Sequence, residues 1–340
     1  MSRPVARYLD GGDPNGRLHL QHGPIDLVIG VDDGGAAHKG EAERRARAFA
    51  AAIARFQTVL DELVSELPLL RTPAEIGSPM LTGSVARRMV AAVRPFAADH
   101  FITPMAAVAG AVADEILASM LAGFDKDDRP HRAYVNNGGD IAVHLEGDAE
   151  YRVRMAREDG ASLGDFALRA SSPTRGIATS GRGGRSLSMG IADSVTVLAT
   201  NAAAADAAVT LVANAVDLPG HAAISRARAI DVVDDSDLGE RLVVTGCGPL
   251  TDAEIDMALS RGLAKAEHFI ALGLIDRAGL FLANQGLLAM PSAAEPLCSL
   301  ISFNRSIHGA VFQCLTSRSA SSSPSSRKFI MKAASPSKSR

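Results

Sequence analysis

The chain has no tryptophan and three tyrosines, and aromatic residues make up only 4% of its 340 positions. Single-stranded nucleic acid is held largely on stacked aromatic rings, so such a role is not expected. An excess of one charge is missing too: 35 Lys and Arg stand against 38 Asp and Glu, a formal net charge of -3. That balance calls for neither a nucleic-acid backbone nor an anionic membrane surface. The three cysteines, Cys247, Cys298 and Cys314, form no CxxC pair and no zinc spacing. Unpaired thiols in such a pattern point to a reducing compartment, and a cytoplasmic location is expected. The N-terminal MSRPVARYLDGGDPNG lacks the apolar core of a signal peptide. The longest apolar stretches are Ala-rich and broken by charge, so no membrane span is expected.

What is present suffices for a large core, with 47% hydrophobic residues. RLHLQHGPIDLVIGVD, residues 17–32, alternates and then runs apolar, which predicts two strands turning at Gly23-Pro24. Residues 40–67 carry Phe49, Ile53, Phe56, Leu60 and Leu63 at helical spacing, and Pro68 and Pro73 are expected to end that helix. Further helices are expected over 84–97, over the small and apolar 105–121, over the Ala-rich 202–216 and over 252–272. Strands are expected at 133–135 and 140–145 around a Gly-Gly turn, at 152–155, 176–179 and 241–245, at the β-branched SVTVLA of 194–199, and last at 278–282. Strands and helices mix without a strict βαβ rhythm, which favours an α+β fold of mixed sheets with packed helices. After Glu295 no acidic residue follows, and from Ser317 the chain is Ser-rich with scattered Lys and Arg. A domain over 1–295 is therefore expected, with 296–340 a disordered basic extension outside the native domain.

Four segments carry candidate chemistry. In Asn136-Asn137-Gly138-Gly139-Asp140, two glycines between strands allow a ligand to approach the backbone, although Asn-Gly is also the ordinary hairpin dipeptide. GIATSGRGG, residues 176–184, has the glycines, hydroxyls and arginine of a phosphate cradle, or it is a flexible loop. Asp206 and Thr210 lie four apart on one helix, so both side chains face one way. A carboxylate with a hydroxyl suits Mg²⁺, whose shell substrate phosphates and water complete; the alternative is a solvated polar pair. Against solvation, the neighbours AAAADAAVTLVA are nearly all small and apolar. Residues 225–239, SRARAIDVVDDSDLG, are expected to be a solvated loop with local ion pairs. His19 and His22, three apart in a strand, point to opposite faces and do not share a metal. No GxSxG or HExxH motif is present.

Taken in order, these segments resemble the ApbE superfamily of flavin transferases, which move FMN from FAD to a Thr or Ser of a target protein with Mg²⁺. AAVAGAVAD of 106–114 is similar to that family's Ala-Lys-Gly-x-x-x-Asp helix start, and NGGDI of 137–141 to its GGD turn. Ser180-Gly181 with the strand at 194–199 resembles its Ser-Gly loop and SVTV strand, and ADAAVT of 205–210 its Asp-x-x-x-Thr metal helix. The match is closer still to the uncharacterised-protein family numbered 0280, whose SLS-x-G-x-AD-x-V-T-V and SDLG-x-RLV signatures read at 186–197 and 236–243. The resemblance implies FAD as ligand or substrate and Mg²⁺ held by Asp206 and Thr210. It implies a pocket shaped by Asn137, Gly138, Gly139 and Asp140, with Thr179, Ser180, Gly181 and Arg185 on the phosphate side. The attacking hydroxyl would belong to a protein or small acceptor, and a homodimer is compatible with the pattern.

Two departures stand out. Arg185 occupies the place of the transferases' basic His, and no His lies between residues 145 and 220. Arginine cannot act as a base at neutral pH. Arg185 is therefore read as stabilising phosphate charge, and Asp140 or Asp193 as the candidate base. Ala109 stands where the family has a cofactor-contacting Lys. Binding without transfer is the alternative: a flavin- or nucleotide-binding accessory protein for a redox or sulfur-metabolism enzyme.

Overall fold

The computed structural model describes residues 3–9, 12–13, 16–32, 40–75, 81–156, 162–184, 186–283, 285–291 and 331–333; the side chains of 154–156, 162–166 and 331–333 are left aside. The chain divides into two compact units. The first holds Met1–Glu150, Arg169–Ala178 and Ala199–Ala207, and the second holds Tyr151–Leu168, Thr179–Leu198 and Ala208–Arg340.

In the first unit, β1 (Val5–Tyr8), β2 (Leu18–His22), β3 (Ile25–Asp32), β4 (Arg132–Asn137) and β5 (Asp140–Leu145) pair antiparallel in that order. Ile141 and Ala142 of β5 then pair with Ile177 and Gly176 of β8 (Gly176–Ser180). Alternation sets the register: Leu20 lies opposite Leu27, and Ile29 opposite Val135. The apolar side of these strands is covered by α1 (Glu41–Leu70) and α3 (Val108–Ala122), with α2 (Ser84–Val93) packed on both helices. Phe49, Phe56 and Val59 of α1 and Val112 and Ile116 of α3 are fully buried in that core, and the helical spacing seen in the sequence is what presents them together. His19 and His22 go to different partners: His19 bonds Arg7 and Asp26, and His22 lies edge-on to Phe56.

Pro68 does not end α1, as the sequence suggested; the helix runs on to Leu70, and Arg71 N–H still reaches Leu67 O. A proline in the last turn removes only its own donor, so the turn closes without it. The stretch Pro104–Ala122, a 3-10 turn followed by α3, is long and apolar enough by composition to cross a membrane. Here it packs against α1, α2, β4 and β5 as a core helix. Glu115 of α3 accepts from Ser84 Oγ at 2.5 Å and from Arg55 and Arg88 Nε at 2.9 Å each, which ties the three helices together.

In the second unit, β9 (Ser194–Ala199), β12 (Arg277–Leu282) and β13 (Gln285–Ala289) pair antiparallel, with Leu280 opposite both Val195 and Leu287. α6 (Asp252–Ala271) lies on β12 and β13. It starts with a capping box in which Thr251 Oγ1 accepts from Glu254 N–H and Glu254 Oε2 accepts from Thr251 N–H at 2.7 Å. β6 (Glu150–Ala156) and β7 (Ser162–Arg169) form a second sheet with β14 (Met331–Ala333). β10 (Ile224–Arg228), the helical turn α5 (Ala229–Val232) and β11 (Leu242–Cys247) make a two-stranded ribbon. α4 (Ala202–Ala215) begins in the first unit and ends in the second.

The architecture is α+β, helices with antiparallel sheets. Five strands were not foreseen: β1, β7, β10, β13 and β14. β10 and α5 correct the loop reading over 225–232, while the expected local ion pairs are present, Arg228 meeting Asp231 at 2.7 Å and Glu240 at 2.9 Å. Arg226 looks like a surface charge in sequence, but it turns inward to Asp217 Oδ1 at 2.5 Å and Met189 O at 2.7 Å. β12 is not the last strand, because the chain reverses at Ala283, φ 53°, straight into β13. Within the expected disordered tail, Met331–Ala333 pairs with Val153–Met155 of β6; the rest of 292–340, with Cys298 and Cys314, lies outside the described residues. Cys247 is a free thiol.

Candidate functional site

The site in the first unit grows from a problem at the start of α3. The residue before it, Ala107, has no side chain with which to cap, so the first-turn N–H groups need partners from elsewhere. Asp206 of α4 supplies them: Gly110 N–H donates to its Oδ2 at 3.0 Å, and Ala109 N–H bonds the same carboxylate. α4 is capped in return. Ala202 and Ala203 donate to the two oxygens of Asp114 at 3.0 and 2.9 Å, and Ala204 donates to Asn201 Oδ1 at 2.8 Å. The helix starts lie so close that a Cβ on Gly110 would stand 2.3 Å from Ala202 O, and one on Gly176 2.0 Å from Asn201 O. Only glycine fits at these two positions.

The β4–β5 connection is the plain hairpin. Asn137 pairs with Asp140, and Gly138 and Gly139 take φ of 67° and 120° in the two-residue turn. Gly139 N–H donates to Asn136 Oδ1 at 2.8 Å. The hairpin is fastened to the helix start. Asn137, 6% exposed, donates from Nδ2 to Ala109 O at 3.1 Å. A Cβ on Gly139 would meet nothing within 4 Å, so the tip of the turn faces open space.

That arrangement gathers acids. Asp206 is half-buried as a residue, and protein atoms crowd around its carboxylate. Burial raises its pKa well above the ordinary carboxylate value, and the charge of Asp140 raises it further. The Gly110 and Ala109 amides pull it back, and Asp114 pushes it up again. Asp114 is itself raised by burial, against the pull of the Ala203 and Ala202 amides and of Arg88. Hydrogen bonding is therefore satisfied while like charge accumulates, a condition that a proton or a cation relieves. Thr210 sits one turn further along α4. Among the described residues no group of three or more His, Cys, Asp or Glu could hold a metal by itself. The donor set fits Mg²⁺, which takes one or two carboxylates and completes its shell with water and substrate phosphate.

Of the residues singled out in sequence, the first unit brings together Ala109, Asn137, Gly138, Gly139, Asp140 and Asp206. Thr179, Ser180, Gly181 and Thr210 belong to the second unit, and Arg185 lies outside the described residues. In the second unit Gly181 has a packing reason: a Cβ there would stand 2.3 Å from Asp193 O. Thr179 Oγ1 bonds Thr196 Oγ1 at 3.0 Å. Asp193 is fully engaged, contrary to its reading as a candidate base. Its Oδ1 takes Arg182 Nε and Nη2 at 2.9 and 2.7 Å, and its Oδ2 takes Ala283 N–H at 2.6 Å. Asn201 went unremarked, and Asp114 was noted only as the last residue of the AAVAGAVAD stretch, with no role. Their signals were an acid one turn after Gly110 and an Asn directly before an Ala-rich helix.

A model of the family described as AbpE bacteria matches residues 6–289. The chain belongs to that family. Among its relatives is a UPF0280 protein of Methanopyrus kandleri, 34% identical over 201 residues, 57% of this chain and 76% of that protein. A UPF0280 protein of Methanococcus vannielii is 33% identical over 158 residues, 46% of this chain; the match spans only 61% of that relative's length. Both relatives agree with the resemblance read from the signatures at 186–197 and 236–243. Among solved structures, the apo flavinyl transferase ApbE of Pseudomonas stutzeri is similar at 12% identity over 84% of this chain and 92% of that one, TM-score 0.34. The flavin transferase ApbE of Vibrio cholerae is similar at 13% identity over 85% and 98%, TM-score 0.33.

Proposed function

We propose that the chain binds a phosphorylated ligand, FAD or another nucleotide, together with Mg²⁺. The observation that carries this reading is Asp206, a carboxylate set deep among protein atoms at the opening amides of α3 and under the repulsion of Asp140. Asp206 and Thr210 hold the cation, which neutralises phosphate charge when bound. The Asn137–Asp140 turn offers backbone and side-chain polar groups to the ligand, with open space at Gly139. Ala109 and Gly110 keep the Asp206 carboxylate aimed through their N–H groups. The phosphate role of Thr179, Ser180, Gly181 and Arg185 is a separate proposal, tested by variants of its own.

Two outcomes of binding are in play. In the first, a hydroxyl of a protein acceptor attacks the flavin-side phosphorus of FAD. The bond to the adenylate half breaks, AMP leaves, and the hydroxyl proton passes to a base, for which Asp140 is the first-unit candidate. In the second, the ligand is held without turnover by an accessory protein. Arg185 in place of a His, and Ala109 in place of a Lys, favour the second.

The test is the melting temperature with FAD, with Mg²⁺ and with both, for wild type and for Asp206→Asn, which keeps an acceptor for the Gly110 amide. A ligand at 100 times its Kd stabilises the folded state by about 2.7 kcal/mol. The expected result is a rise with FAD and Mg²⁺ together that the variant loses. No shift in wild type with any combination removes the flavin reading. AMP release from FAD then separates transfer from holding.

A further inference from the structure

α3 and α4 carry the same device. Asp114 lies four residues after Gly110 on α3, and Asp206 four residues after Ala202 on α4, so each acid stands one turn past the opening residue that meets the other helix. Each reaches across to the N–H groups that open the other helix: Asp206 to Gly110, and Asp114 to Ala202 and Ala203. Gly110 makes the clasp possible, since any side chain there would strike the backbone of Ala202. The two halves do unequal work. Asp206 faces Asp140 and the hairpin, whereas Asp114 is turned wholly to the start of α4, taking one amide on each oxygen.

We propose that Asp114 is a positioning residue, holding the first turn of α4 so that Asp206 is fixed beside the Asn137–Asp140 turn and the start of α3. Without it, two opening amides of α4 lose their acceptors. The turn that carries Asp206 loosens, and the Asp206–Gly110 bond loosens with it. This rests on the cation reading for its functional meaning, but the coupling itself is a property of the two helices. Groups that orient a metal ligand without touching the metal affect affinity by roughly 10–100-fold.

The experiment compares full-length wild type, Asp114→Asn, Asp114→Ala and, as a control for general loosening, Thr251→Ala at the cap of α6. Amide hydrogen exchange is followed at Gly110 and Ala202, and Mn²⁺ binding is titrated by electron paramagnetic resonance. Asn leaves one acceptor oxygen and is the milder change, kept in case the Ala variant fails to fold. Expected are faster exchange at Gly110, not only at Ala202, and Mn²⁺ affinity lower by roughly tenfold in Asp114→Asn and up to a hundredfold in Asp114→Ala. Thr251→Ala is expected to leave both readouts near wild type. Unchanged exchange at Gly110 while Ala202 quickens overturns the positioning role, as does wild-type Mn²⁺ affinity in a folded Asp114 variant. A wild type that takes up no Mn²⁺ sinks the cation reading instead, and Gly110 exchange then decides the clasp alone.

Discussion

Two enclosed aspartates, one in each unit, are satisfied in opposite ways. Asp193 has a side chain only 7% exposed and meets the guanidinium of Arg182 and the amide of Ala283. Its charge and its hydrogen bonds are answered together, and it locks a loop. Asp206 has amide donors from Ala109 and Gly110 but lies near Asp140 and Asp114, so its bonds are met while its charge is opposed. The contrast lies in the sign of the nearby charge, a guanidinium beside Asp193 and carboxylates beside Asp206, and on the proposed reading a bound cation answers that difference.

The comparison can be broken at several points. The largest effect is expected for Gly110→Ala, which pushes a methyl into the backbone of Ala202. It should cost about 3 kcal/mol, read as a lower urea midpoint, and a near-neutral result would mean that the helix starts are not held together. Next is Arg182→Ala. Removing one partner of a fully buried pair costs about 3–5 kcal/mol. Because Arg182 is 35% exposed, solvent screens its pair with Asp193, and about 1–3 kcal/mol is expected. Asp206→Asn should have the opposite sign and the smallest size. Relieving the repulsion raises the melting temperature of the cation-free protein, by about 2–4 °C for each kcal/mol gained.

The pH dependence sharpens the same contrast. A carboxyl whose folded pKa is raised favours the protonated folded state. Its stabilising contribution is complete below the unfolded carboxylate value and fades as pH rises through the folded one. In EDTA the wild-type melting temperature should therefore fall across that window, and Asp206→Asn should flatten the fall, leaving a residual slope from Asp114. An equal slope in both proteins would place the charge repulsion elsewhere.

Much of this was legible in the sequence because the helices and central strands advertise themselves. SVTVLA is a strand from Ser194 to Ala199 as expected, and Phe49, Phe56 and Leu63 mark the buried face of α1. The missed strands were those whose side chains mislead: β10 hides an inward Arg226, and β1 is exposed at all of its residues. The Asn-Gly-Gly-Asp turn was legible as a hairpin, which it is, while its ligand approach belongs to the proposal. Asp206 stood out among alanines, and the structure sets it against the amides that open α3. What sequence could not show was its distance partner. Asp114 and Asp206 are far apart along the chain, and nothing local announces that each opens the other's helix. Asp193 misled for the same reason, since the Arg182 and Ala283 that engage it become neighbours only through the fold.

The most direct test of the central claim is the Mg²⁺-induced shift in melting temperature at pH 7.5, with FAD present throughout, in wild type, Asp206→Asn and Asp193→Asn. The account predicts a rise in wild type that Asp206→Asn abolishes. Asp193→Asn should melt at a lower temperature yet keep the rise. A Mg²⁺ shift that survives in Asp206→Asn, or that disappears only in Asp193→Asn, would contradict it.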